Sequence, residues 1–322
     1  MLNIKNLNLG FHTEDGFLPI ISDVYFSVKK GEILAIAGES GCGKSVTCLS
    51  LAKLLPKTAE YTSGEIYVNN KNVLSLSEKE LRKTIRGKTI AYIFQEPMVS
   101  LNPVFKIGNQ IAEVIHLHRP EVLDVETEII SLLKRVGIPD PESRKDAYPH
   151  QMSGGMQQRI MIAMALASNP DFLIADEPTT ALDVTIQAQI LDLLKEIQQK
   201  TNMGIILVTH DLGVIAEIAD RVIIMYAGEI VETATAQKLF KNPAHPYTSA
   251  LIKAVPELSQ QTEKLTTIPG TVPSPGEYGA GCRFAGRCEY EQDSCSKTKQ
   301  SLTKVSKNHY VKCCFPLSTL HS

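Results

Sequence analysis

The stretch "ILAIAGESGCGKSVTCLSLAKLL" (33 to 55) limits the fold more than any other part of the chain. Its unbroken apolar start reads as a buried strand, and "VTCLSLAKLL" reads as a helix. Between them, "GESGCGKS" (38 to 45) has the spacing G-x-x-x-x-G-K-[ST] of a phosphate-binding loop. Gly38, Gly41 and Gly43 permit positive φ, so successive backbone N–H groups can face one phosphate oxygen. The N-terminus of the helix adds partial positive charge at the same place. Lys44 would bridge the β- and γ-phosphates, and the Ser45 hydroxyl would bind Mg²⁺. A Gly-rich turn that matches by chance is the alternative, and the flanking strand and helix argue against it.

Three more short apolar runs look like parallel strands of the same sheet: "TIAYIF" (89 to 94), "FLIA" (172 to 175) and "GIILVT" (204 to 209). Each ends on polar residues, respectively Gln95, Asp176 with Glu177, and His210. Ligands of open α/β sheets bind outside the carboxyl ends of the strands, so these residues are candidates for one site. Two carboxylates at the end of an apolar strand are costly unless a positive partner is close, and nucleotide-bound Mg²⁺ would be that partner. Asp176 is then expected on the metal and Glu177 on the attacking water. The Gln95 side-chain oxygen can ligate Mg²⁺, and His210 can donate to the γ-phosphate. Taken singly, a polar strand end or a lone histidine is more often structural.

Alternating segments "LNIKNLNLGF", "DVYFSV" (23 to 28), "GEIYVN" and "RVIIMYAGEIVET" (221 to 233) predict antiparallel strands beside the parallel core. Apolar spacing of three to four residues in "IGNQIAEVIHLH" and "VETEIISLLKRVGI" predicts a helical insertion, about residues 96 to 170. "MSGGMQQR" (152 to 159) opens another helix, with Ser153 placed as its N-cap and Gly154 and Gly155 after it. It is a second anion-binding helix end. One triphosphate needs one phosphate loop, so the second end is better explained as serving a neighbouring copy's nucleotide.

In this order, the motifs resemble the ATP-binding subunit of ATP-binding-cassette (ABC) transporters. The likeness covers the phosphate loop, Gln95, the signature at 153 to 157, the Asp176–Glu177 segment, "ALD" at 181 to 183 and His210. Met152 and Met156 depart from the commonest signature, yet "SGGMQQR", "GESGCGKS" and "QEPMVSLNP" look like the dipeptide/oligopeptide/nickel importer group. The resemblance implies an α/β P-loop NTPase core, a mixed sheet flanked by helices, with an antiparallel β subdomain, a helical insertion and a small Cys-rich tail. It implies ATP contacts from Gly38, Glu39, Ser40, Gly41, Cys42, Gly43, Lys44, Ser45 and Val46, with Mg²⁺ on Ser45, Gln95 and Asp176; Phe11, then His12, is the candidate to stack on adenine, a core phenylalanine being the alternative for Phe11. Glu177, His210 and Gln95 would be catalytic. Ser153, Gly154 and Gly155 would act in trans, with Asp183 in the D-loop. Partners would be two membrane permease subunits, a second ABC ATPase (like or unlike this chain) and an extracytoplasmic substrate-binding protein, with the chain peripheral on the cytoplasmic face of the membrane. Di- or oligopeptides are the expected substrates, with nickel or a metal chelate as the alternative.

The domains expected are residues 1–255 for the nucleotide-binding part, 256–281 for a linker and 282–322 for a Cys-rich tail. Three prolines and four glycines fall within 268 to 281, which suggests the linker. The tail reads Cys282-x5-Cys288-x6-Cys295-x17-Cys313 with Cys314 adjacent. Zinc sites favour ligand pairs two to four residues apart, whereas iron-sulfur ligation tolerates wider spacing. The likeness of "CRFAGRC" and "HYVKC" to the tail of peptide-importer ATPases implies a [4Fe-4S] site on Cys282, Cys288, Cys295 and Cys313. Zinc and free thiols remain as alternatives, and Cys314 can replace Cys313. Arg283 and Arg287 could balance thiolate charge.

A net charge of -2 and the lack of a long basic run leave little for a nucleic-acid backbone to bind. No apolar run reaches the ~20 residues of a membrane span, and the alternating "MLNIKNLNLGF" reads as a strand, not a secretory signal. A soluble ABC ATPase acting on nucleic acid or ribosomes usually has two cassettes or a long coiled coil, and neither pattern is present. A metal-binding regulator that only senses nucleotide is the remaining class, and Glu177 with His210 argue for turnover instead.

Overall fold

Strands that carry aliphatic residues on both faces must lie between layers, and the apolar runs do so. The structure, a computed structural model, describes residues 1–96, 100–180, 182–255 and 268–317. In chain order the strands are β1 (Leu2–Thr13), β2 (Gly16–Val28), β3 (Ile33–Ala37), β4 (Ala59–Val68), β5 (Lys71–Asn72), β6 (Ile90–Ile93), β7 (Phe172–Asp176) and β8 (Gly204–Val208). They continue with β9 (Arg221–Tyr226), β10 (Glu229–Thr235), β11 (Thr303–Ser306) and β12 (His309–Val311). Every residue of β3, β7 and β8 is buried. The chain divides into two compact units, Met1–Val28 with Ile33–Leu74 and Val208–Ser322, and Lys29–Glu32 with Ser75–Leu207.

In the first unit, β2, β1, β4 and β5 form an antiparallel sheet in that order, with Leu2 opposite both Val28 and Val68. A second, mixed run has the order β11-β12-β10-β9-β3. The residues 221 to 233 were expected to be antiparallel throughout, and half of that expectation is corrected. β9 is parallel to β3, with Leu34 opposite Arg221, and only its hairpin partner β10 is antiparallel to it. "VIIMY" is buried at every position, which is the pattern of a parallel core strand and not of an alternating edge.

In the second unit the strand order is β8-β7-β6, with β7 and β6 parallel. The longer helices of the insertion are Ile107–His118, Val125–Arg135 and Gly154–Ala167, with a short helix Pro141–Arg144 between the last two. They follow the periodicity read from the sequence. Ile107, Ile111 and Ile115 are fully buried, as are Leu133, Ile160 and Ala163. The middle helix starts on the Asp124 carboxylate, which accepts from Thr127 N–H at 3.0 Å, and ends on Lys134 and Arg135, in line with its dipole. Residues 97–99 of the expected insertion and 256–267 of the expected linker lie outside the described residues.

The C-terminal region is held by apolar packing and strand pairing, and the metal staple expected for it is corrected. Phe284, 3% exposed, packs edge-on against Tyr226 at 5.2 Å and against Tyr247 at 5.2 Å. β12 pairs with β10, Tyr310 opposite Thr233. Glu232, fully buried, accepts from His309 Nε2 at 2.6 Å and from the Ala244 and His245 N–H groups at 2.8 Å each. Among the described residues, no group of three or more His, Cys, Asp or Glu side chains is arranged to hold a metal ion. Cys282, Cys288, Cys295, Cys313 and Cys314 instead line a narrow cavity walled by Phe284 and Phe315. Burial in those apolar walls pushes the Cys282 thiol up to about 11 and the Cys313 thiol up to about 12. With no such group among the described residues, the [4Fe-4S] assignment to Cys282, Cys288, Cys295 and Cys313, and the zinc alternative with it, is withdrawn.

Candidate functional site

The phosphate loop belongs to the first unit. Gly38, Gly41 and Gly43 have φ of 149°, 78° and 100°, the region that only glycine enters without strain. At Gly38 the requirement is also steric, because a Cβ would sit 2.2 Å from the Met225 carbonyl oxygen. The loop is pinned to the turn between β9 and β10, where Gly228 N–H donates to the Cys42 carbonyl at 2.9 Å. Lys44 is 6% exposed and donates to the Gly38 carbonyl at 2.8 Å and the Glu39 carbonyl at 2.9 Å. Among the described residues it has no carboxylate partner, so a buried cation is left for an anion to neutralise. Ser40 and Ser45 are exposed and Val46 is half-buried. Phe11 is half-buried in β1, opposite Leu18 and Ala59. His210 is exposed beyond β8, and the next residue, Asp211, caps the helix Leu212–Ile218 by accepting from Gly213 N–H at 2.9 Å.

The second unit brings Gln95 and Glu177 together. Gln95 Nε2 donates to Glu177 Oε2 at 3.0 Å, and Thr180 Oγ1 donates to the same oxygen at 2.9 Å. Glu177 has φ 47°, a left-handed backbone that a glutamate adopts only when its surroundings fix it. Beside it, Asp176 is buried at the end of β7 and accepts from the Tyr92 hydroxyl at 2.8 Å. Ser153 caps its helix as the sequence indicates, its hydroxyl accepting from Met156 N–H at 3.4 Å, with Ser153 and Gly154 exposed. A Cβ on Gly155 would meet Ile186 at 2.9 Å. Asp183 accepts from Ile186 N–H at 2.9 Å and caps the helix Val184–Thr201. Ala181 of the same motif lies outside the described residues.

Residues that sequence reasoning passed over hold these motifs in place. Gln157 Nε2 donates to the Pro149 and Met152 carbonyls at 3.0 and 3.2 Å, which fixes the turn before Ser153. Tyr247, fully buried, accepts through its hydroxyl from Glu39 N–H at 2.9 Å. Tyr92 carried a usable signal, a phenol within an otherwise aliphatic strand, since a buried hydroxyl needs a partner. Arg283 and Arg287, expected to balance thiolate charge, are engaged elsewhere: Arg287 pairs with Glu39, and Arg283 donates to Ser22 Oγ at 2.8 Å and to the Ala227 carbonyl. Among the described residues, no helix is long and apolar enough to cross a membrane.

Comparison with known proteins agrees with this arrangement. Residues 21–180 match the family "ABC transporter", and residues 231–295 match "Oligopeptide/dipeptide transporter, C-terminal region". The chain is 46% identical over 318 residues to the dipeptide transport ATP-binding protein DppD of Escherichia coli (strain K12), covering 98% of this chain and 97% of that one. It is 50% identical over 315 residues to the oligopeptide transport ATP-binding protein OppD of Bacillus subtilis (strain 168), covering 97% of this chain and 88% of the relative. Among solved structures, the dimeric post-hydrolysis state of the ATP-binding cassette MJ0796, bound to ADP and Pi, superposes with a TM-score of 0.65 at 30% identity, covering 73% of this chain and 99% of that one. The fold is that of an ABC ATPase cassette, a mixed α/β P-loop architecture, and the chain belongs to the ABC transporter family as an ATP-binding subunit of its dipeptide/oligopeptide importers.

Proposed function

We propose that this chain hydrolyses ATP to drive uptake of di- or oligopeptides through separate membrane subunits. The observation that carries the reading is Lys44, a buried ammonium ringed by loop carbonyls at the foot of a positive-φ glycine loop. A polyphosphate supplies the negative charge such a site lacks. Oxygens of Ser45, Gln95 and Asp176 are the hard donors Mg²⁺ prefers, and bound Mg²⁺ would neutralise charge on the phosphates. Glu177 would orient and deprotonate the attacking water, and His210 would donate to the γ-phosphate. Ser153, Gly154 and Gly155 would meet the nucleotide of a second ABC ATPase, and Phe11 would stack on adenine.

Peptide uptake is favoured over nickel or chelate uptake by the match of residues 231–295 and by relatives named for dipeptides and oligopeptides. Two permeases and an extracytoplasmic binding protein complete the assembly in this reading, with the chain on the cytoplasmic face. The test is ATP turnover together with uptake of a labelled dipeptide in cells carrying the whole transporter. Lys44→Ala should abolish both, and a variant that kept both would sink the proposal.

A further inference from the structure

Two arginines of the C-terminal region brace the phosphate loop. Arg287 donates from Nη1 to Glu39 Oε2 at 2.8 Å and from Nη2 to Glu39 Oε1 at 3.1 Å, across 248 residues of sequence. The side chains are 10% and 25% exposed, so solvent screens the pair only in part. Its remaining contacts hold Arg287 in place: Nε donates to the Pro269 carbonyl at 2.7 Å, Nη2 to the Gly270 carbonyl at 3.3 Å and Nη1 to the Tyr226 hydroxyl at 3.2 Å. Arg283 grips the Ala227 carbonyl, next to the Gly228 N–H that secures Cys42. Glu39 is thus tied through its side chain to Arg287 and through its backbone to Tyr247.

Glu39 follows the first glycine of a loop that receives a polyanion. An uncompensated carboxylate there repels phosphate and is free to pull the loop out of shape. A bidentate guanidinium removes the charge and fixes the geometry, which a lysine ammonium does less well. We infer that Arg287 is a positioning residue for nucleotide binding, and that through it the C-terminal region sets the affinity of the phosphate loop. The inference rests on the reading of that loop as the ATP site.

The test is Mg·ATP titration calorimetry on the full chain, with steady-state ATPase rates in parallel. Arg287→Ala should raise Kd about tenfold and change kcat by less than about twofold, and Arg287→Lys should recover part of the loss. The decisive variant is Arg287→Ala combined with Glu39→Gln, in which no bare carboxylate remains. Its Kd should return to within about threefold of the parent. A C-terminal region that had merely come loose would leave the double variant as weak as Arg287→Ala, and that result overturns the inference. So does an Arg287→Ala Kd within about twofold of the parent. Lys44→Ala separates the two readings. Loss of binding in Lys44→Ala with none in Arg287→Ala refutes this inference alone, whereas equal binding by Lys44→Ala and the parent refutes the ATP site and the inference together.

Discussion

His245 makes the stability of this protein dependent on acid in a way that can be calculated. The side chain is buried, and its Nδ1 accepts from Tyr247 N–H at 3.0 Å, capping the helix Pro246–Lys253. That bond puts the ring proton on Nε2, whose neighbour is the Lys312 backbone carbonyl. Protonating Nδ1 would break the cap and leave a buried cation. Burial accordingly lowers the His245 pKa from 6.5 to about 4, with the Glu232 carboxylate and the Lys312 carbonyl opposing only in part. Because the folded value is depressed, the unfolded chain binds the extra proton first. The contribution is complete above pH 6.5 and is lost as the pH falls toward about 4. At about 1.4 kcal/mol per pH unit, that interval corresponds to about 3 kcal/mol. The assay is urea unfolding at a series of pH values for the parent and for His245→Asn, which keeps a capping acceptor but does not titrate. The parent should lose about 3 kcal/mol more than the variant between pH 7 and pH 4. Parallel curves over that range would refute the reasoning.

Three other outcomes are expected. Glu177→Gln should lower kcat for ATP by about 10²–10⁴ while Mg·ATP still binds in calorimetry, since the amide can accept from Gln95 but cannot take a proton. Phe284→Ala should cost about 3–5 kcal/mol and lower the melting temperature in differential scanning calorimetry, because the ring is 3% exposed and touches Tyr226 and Tyr247. Gly38→Ala should weaken ATP binding at least about tenfold, with its Cβ 2.2 Å from the Met225 carbonyl and φ at 149°.

Most of what is local in this chain could be read from its residues. Continuous aliphatic runs of four to six residues that end on polar groups or glycine placed β3, β6, β7 and β8 to within a residue or two. Ser153 could be named as a cap because capping depends only on the next three residues. What escaped was non-local. The pairing of Arg287 with Glu39 and of Tyr247 with the Glu39 backbone joins distant segments, and no periodicity encodes which polar groups will be buried together. The cysteines misled for the same reason. Spacing along the chain suggested a ligand set, yet among the described residues no group of three or more such side chains is arranged to hold a metal, although the five cysteines line one narrow cavity.

The hairpin of β11 and β12 has a consequence for how this protein behaves in a crowded cell. Without it, the outward side of β10 would offer open amides and carbonyls to any extended segment nearby. With it, the sheet terminates on "TKVS", a four-residue strand bearing a lysine, which is a poor template for further growth. Truncation before residue 303 should therefore produce a chain prone to self-association, whatever it does to turnover.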